Sequence, residues 1–140
     1  MRKVFIDASG WFAIIQPTNI NHYSAKEYFQ NILDSGEKIY TNILEINEVI
    51  TLIKKHCSVD KAAEFSKIIE EAVLSTDLHI SWLSRRLRRN SLKHFFSMKS
   101  PGIEMRHCII FEEVRKRKIN YIFSFDQVLK SFGIPLMPLP

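Results

Sequence analysis

Two short apolar runs that each end in a carboxylate constrain this fold more than any other feature of the chain. Val4-Phe5-Ile6 runs into Asp7, and Tyr121-Ile122-Phe123-Ser124-Phe125 runs into Asp126. Both are β-branched and aromatic without polar alternation, which predicts strands buried on both faces. Such strands belong to parallel sheets covered by helices, and in open sheets of that kind ligands bind beyond the carboxyl ends of the strands. Asp7 and Asp126 stand at that edge. Each also has a plain structural role open to it, as the N-cap of the helix that follows.

The rest of the chain alternates strands with helices. Lys3–Ile6, Lys38–Thr41, Leu78–Trp82, Tyr121–Phe125 and a stretch near Pro135–Met137 read as strands. A short helix ends before Pro17. A second runs from about His22 to Leu33, with Ser24 and Glu27 spaced as a capping box and Gly36 as its stop. Ile43 to about His56 is a third, with Leu44, Ile46, Val49, Ile50 and Ile53 toward its buried side. Ser58 or Asp60 caps a fourth, which reaches about Leu74. Ser84 to Phe96 is a fifth, with Leu83, Leu87 and Phe95 as its apolar stripe. Ser100 reads as an N-cap and Pro101 as the first residue of a sixth, reaching about Lys118. A short turn of helix from Gln127 to Ser131 ends at Gly133. This order predicts an α/β fold, a three-layer α/β/α sandwich with a mostly parallel central sheet.

The 140 residues suit one domain, spanning 1–140. No apolar run approaches the roughly 20 residues of a membrane span, and no basic-then-apolar leader opens the chain. A cytoplasmic protein without a membrane partner is expected. Cys57 and Cys108 lack paired spacing and are expected to be free, buried thiols.

Charge is unevenly distributed. Residues 1–77 hold 8 basic and 11 acidic side chains, whereas residues 78–118 hold 11 basic and 3 acidic ones. A basic excess confined to one segment is the electrostatic footprint of a polyanion-binding face, or else a solvated helix surface. Its densest part is Arg85-Arg86-Leu87-Arg88-Arg89. Guanidinium groups in such a row suit bidentate contacts to RNA phosphates. Arg115-Lys116-Arg117-Lys118 closes a helix, where cations favour the helix dipole. His22, His56, His79 and His94 have no metal-ligand spacing.

Further acids lie on the third helix. Glu45 and Glu48 are three residues apart and so on roughly one side. Glu48 sits beside Val49 and Ile50, where a carboxylate is costly unless it is paired or binds a cation, and a solvated position suits Glu45 better.

Taken together these segments resemble the PIN-domain family, nearly end to end and in the right order. Val4-Phe5-Ile6-Asp7-Ala8-Ser9-Gly10-Trp11 is similar to its opening motif. Tyr40-Thr41-Asn42 through Glu48-Val49-Ile50-Thr51-Leu52 is similar to its second segment, and Ile122-Phe123-Ser124-Phe125-Asp126 with Gly133-Ile134-Pro135 to its closing one. The resemblance implies a metal-dependent ribonuclease in which clustered acids hold Mg²⁺ or Mn²⁺, the ion activating a water and stabilising the attacked phosphate. It implies RNA as substrate and, for a toxin of a toxin–antitoxin pair, an inhibitory antitoxin protein and a homodimer. Carried over, Asp7, Glu48 and Asp126 take acidic, metal-binding positions, and Ser9 and Ser124 supporting ones.

The chain departs from that pattern at one place. The family has a further Asp where this sequence has His107. Histidine is a poorer partner than a carboxylate for Mg²⁺; it would suit Mn²⁺ better or contact phosphate directly. Glu104, about one helical turn earlier, is placed to restore the charge. Arg106 either meets RNA phosphate or takes the metal's place electrostatically. Two functions follow: a PIN-type endoribonuclease using Asp7, Glu48, Asp126 and Glu104 or His107, or a catalytically degenerate domain that binds RNA or protein.

Overall fold

The computed structural model describes residues 1–139. Five strands form one sheet in the order β3-β2-β1-β4-β5, with every pairing parallel. They are β1 (Lys3–Ile6), β2 (Lys38–Asn42), β3 (Leu78–Ser81), β4 (Tyr121–Phe123) and β5 (Leu136–Met137). Six helices cover the sheet: α1 (Ala8–Ile15), α2 (His22–Ser35), α3 (Ile43–His56), α4 (Val59–Leu74), α5 (Arg85–Ser97) and α6 (Met105–Arg117). A 3₁₀ turn spans Gln127–Phe132. The layered α/β architecture expected from the alternating elements is the one observed.

Alternation along β1 separates the two cores. Val4 and Ile6 face one layer, packing with Trp11, Ile32, Ile46, Val49, Ile53 and Phe65 of α1–α4. Phe5 faces the other, packing with Ile110 and Val114 of α6 and with Ile122, Leu129 and Leu136. The chain moves outward from β1 through β2 to β3, then returns to the far side of β1 with β4. The direction of winding therefore reverses between β1 and β4, which opens a crevice beyond their carboxyl ends. Phe5 pairs with Ile122 and Ile6 with Phe123, so Asp7 and Ser124 follow in step.

Gly10 lets α1 approach that crevice. A Cβ there would lie 2.6 Å from the Phe123 carbonyl oxygen and 2.7 Å from its ring. Only the bare backbone fits between α1 and β4.

Several local expectations are corrected. Ser24 lies inside α2, which begins at His22, so no Ser24–Glu27 capping box forms; His22 Nδ1 instead lies 2.8 Å from the Ala13 carbonyl. Gly36 does stop α2, at φ 66°. The sixth helix starts at Met105 rather than Pro101, because Gly102 turns the chain at φ 88° and Glu104 is the N-cap. Leu83 precedes α5 and is exposed, whereas Leu87 and Ser91 are buried. Both cysteines are free, but only Cys108 is buried; Cys57 is exposed at the end of α3, its thiol donating to Gln16. Among the described residues no helix is long and apolar enough to cross a membrane.

Candidate functional site

Asp7 anchors the crevice. It is fully buried and caps α1, its Oδ1 accepting the Gly10 N–H at 2.9 Å and the Ser9 hydroxyl at 2.7 Å. Its Oδ2 accepts the Ser124 hydroxyl at 2.6 Å. Ser9 and Ser124 also accept the backbone N–H groups of Phe125 and Asp126. The two serines thus tie the end of β1 to the end of β4. Burial raises the Asp7 carboxyl above its ordinary value, against the lowering effect of Ser124, Gly10, Ser9 and the Arg106 charge.

Glu45 is the acid that α3 turns inward. It is 2% exposed, and its Oε1 accepts the Ala8 N–H at 3.0 Å. Burial and the neighbouring Asp7 push it up to about 7. The sequence-based placement of the two α3 acids is therefore reversed: Glu45 is enclosed and Glu48 is exposed. The missed signal was Asn42. Its Oδ1 accepts the Glu45 N–H at 2.8 Å, the N-cap-to-third-residue spacing that puts Glu45 in the first turn, directly above the strand ends. Glu48 remains at the rim, lining with Ser9, Glu45, Glu104 and Arg106 an open cavity of about 510 Å³.

Arg106 and His107, at the start of α6, complete the site. Arg106 Nη2 donates to Asp126 Oδ2 at 2.5 Å and Nη1 to Glu45 Oε1 at 3.4 Å, while Nε lies 3.5 Å from Glu104 Oε1. Burial disfavours the guanidinium charge, but Glu45, Asp126, Asp7 and Glu104 outweigh it and hold the arginine protonated. His107 Nδ1 accepts the Glu104 N–H at 2.9 Å, so the ring is the Nε2–H tautomer, and Nε2 donates to Asp126 Oδ2 at 2.8 Å. With both nitrogens engaged and 1% exposure, His107 is a positioning residue here, unavailable to phosphate or metal. Burial raises Asp126, yet hydrogen bonds from His107 and Val128 and the nearby charges bring it below its ordinary value. Glu104 is largely exposed.

The side chains as they stand do not fit a bound divalent ion. Asp7 is enclosed by three protein donors, Asp126 takes two donors on one oxygen, and the guanidinium lies among the remaining acids. Among the described residues no three His, Cys, Asp or Glu side chains form a group that would hold a metal.

A second buried polar cluster, not foreseen, lies under β2 and β3. The Asn42 amide donates to Glu113 at 3.0 Å and the Ser81 hydroxyl donates to the other Glu113 oxygen. Burial raises the Glu113 carboxyl despite these bonds. The cluster holds α6 against the sheet edge. The adjacent Glu112 is clamped by His94 of α5 at 2.7 Å and by Arg115 at 2.7 Å. The His94 bond fastens α5 to α6, and Arg85, Arg86, Arg88 and Arg89 of α5 are all exposed. Arg86, Leu87, Asn90, Glu112, Arg115 and Lys116 border one open cavity of about 230 Å³.

This architecture occurs in known proteins. The structure of VapC20 from Mycobacterium tuberculosis, a sarcin–ricin loop cleaving toxin, matches with a TM-score of 0.79 at 19% identity, over 95% of this chain and 97% of that one. The fold is PIN-like. PAE2754 from Pyrobaculum aerophilum matches with a TM-score of 0.56 at 16% identity, over 96% of this chain and 89% of its own. No family model and no curated protein matches by sequence. At these identities the likeness is one of fold alone.

Proposed function

We propose that this chain is an endoribonuclease of the PIN type, the toxin of a toxin–antitoxin pair, acting on RNA phosphodiester bonds at the crevice between β1 and β4. The observation that carries this reading is convergence. Glu45 in the first turn of α3, Glu104 at the start of α6 and Asp126 after β4 all meet Arg106, next to the buried Asp7 at the end of β1, and Glu45 and Glu104 line an open cleft. A structural neighbour that shares the fold over 95% of the chain cleaves the sarcin–ricin loop, which supports a structured RNA loop as substrate class.

In this reading Arg106 receives a phosphate of the bound strand, since guanidinium binds phosphate through paired hydrogen bonds. The exposed arginines of α5 hold flanking backbone. Asp7 fixes the junction of β1 and α1, and His107 fixes Asp126. Mg²⁺ or Mn²⁺ is the ion that the resemblance implies; no step is assigned to it, because the acids are engaged by Arg106 and by backbone donors. A small inhibitory protein and a second copy of the chain are the partners proposed, and the exposed Ile20, Tyr23, Leu33 and Leu74 supply apolar surface for them.

A second reading, RNA binding without turnover, is favoured by the position of the Arg106 guanidinium. Highly purified chain incubated with structured RNA and Mn²⁺ separates the two. Cleavage by the wild type that is lost in Asp7→Asn, with the circular dichroism spectrum unchanged, supports the nuclease. Salt-sensitive binding with no cleavage at any Mn²⁺ concentration establishes the second reading instead.

A further inference from the structure

A guanidinium presents N–H donors in a rigid planar fork. Arg106 directs that fork at three carboxylates from three parts of the chain: Asp126 after β4, Glu45 on α3 and Glu104 beside it. Its backbone is held at the start of α6, where His107 secures the Glu104 N–H. The cationic head is therefore shared by Glu45 and Asp126, 3.4 Å from an oxygen of the first and 2.5 Å from one of the second. Those are oxygens that a hard cation in this cleft would need.

We propose that Arg106 is an internal counter-ion that closes this cleft to divalent cations, competing with them for Glu45 and Asp126. The proposal rests on taking the crevice as the functional site, and not on RNA cleavage. The two cations exclude each other, because a guanidinium hydrogen-bonded to a carboxylate oxygen occupies the same lone pairs and carries the same sign of charge.

The latch has somewhere to go. The Arg106 side chain is 36% exposed and borders the cavity of about 510 Å³, so its head can rotate outward. His107 has no such freedom. A phosphodiester entering the cavity offers the guanidinium an alternative anionic partner with matching geometry. RNA thus draws Arg106 from the acids and leaves them open, so RNA and a divalent cation bind with positive coupling. In the absence of RNA the same arginine offsets the charges of Glu45, Glu104 and Asp126.

The test uses the full chain with Mn²⁺ alone, read by calorimetry and by the Mn²⁺-induced change in melting temperature. Arg106→Gln should bind Mn²⁺ on the order of tenfold more tightly than wild type, the effect of removing a like charge near the ion. Arg106→Lys should stay near wild type, and adding Glu45→Gln to Arg106→Gln should cancel the gain. Equal Mn²⁺ affinity in wild type and Arg106→Gln overturns the proposal. If Arg106→Gln does not fold, the wild type decides: an RNA oligonucleotide shown by gel to stay intact through the titration must raise Mn²⁺ affinity, and no change overturns the proposal. A protein that binds RNA without cleaving it, yet shows the Arg106→Gln contrast with Mn²⁺, refutes the nuclease reading and supports the latch.

Discussion

The Ser124 hydroxyl donates to Asp7 at 2.6 Å, joining residues 117 apart in the chain. Its oxygen also accepts the Asp126 N–H at 3.0 Å. One small side chain therefore registers both ends of the domain at the site. Ser124→Ala leaves a buried carboxylate oxygen and a backbone N–H short of a partner, which costs about 1–3 kcal/mol. Urea denaturation should show that loss with an unchanged slope. A loss below about 0.5 kcal/mol would mean that the tie between β1 and β4 is not held here.

Gly10→Ala tests the closeness of α1 to β4. The new methyl would sit 2.6 Å from a backbone oxygen of the sheet, which cannot rotate away. Overpacking of this kind costs about 1–3 kcal/mol or more. The expected result is a lowered melting temperature, although alanine favours helix by about 1 kcal/mol over glycine. A neutral or stabilised variant would contradict the packing described.

Glu45 gives the stability a pH dependence. Its carboxyl stands at about 7 in the fold against an ordinary value of 4.5. A raised value favours the protonated form in the folded state. Its contribution is fully present below about 4.5 and is lost as pH rises through about 7. Glu45→Gln removes a titration worth up to roughly 3 kcal/mol. The gap in melting temperature between wild type and Glu45→Gln should therefore shift in favour of the variant from about pH 5 to about pH 8. A constant gap would show that Glu45 does not titrate there.

The α5 arginines are exposed and away from both cores, so reversing them should spare the fold. Arg88→Glu with Arg89→Glu should weaken RNA binding. It should also flatten the dependence of affinity on log salt by about 0.7 for each phosphate left unneutralised on a single strand. Filter binding over a salt series measures both. An unchanged slope would assign the basic face to solvation alone.

Much of this arrangement was legible in one dimension. Buried strands without alternation imply a parallel sheet, and the carboxylates after Ile6 and Phe125 fall at its carboxyl edge because of where the strands end. The arginine run on α5 is exposed because Leu87 is the one apolar residue in Arg85–Arg89. Those inferences depend only on local periodicity and on the generic geometry of a sheet.

What the sequence alone left undecided was which polar groups meet. Glu45 and Glu48 lie on nearly one side of α3, and their opposite exposures depend on α1 arriving with the Ala8 N–H unpaired. Asp7, expected either to cap a helix or to join a site, caps α1 with one oxygen and takes the Ser124 hydroxyl with the other, so its two oxygens face different elements. The pairing of Arg106 with Glu45, Glu104 and Asp126 needs three segments brought together by the reversal of winding between β1 and β4. Periodicity places a side chain on a face; only the packed structure decides which charge stands opposite it, and here it set an arginine among the acids.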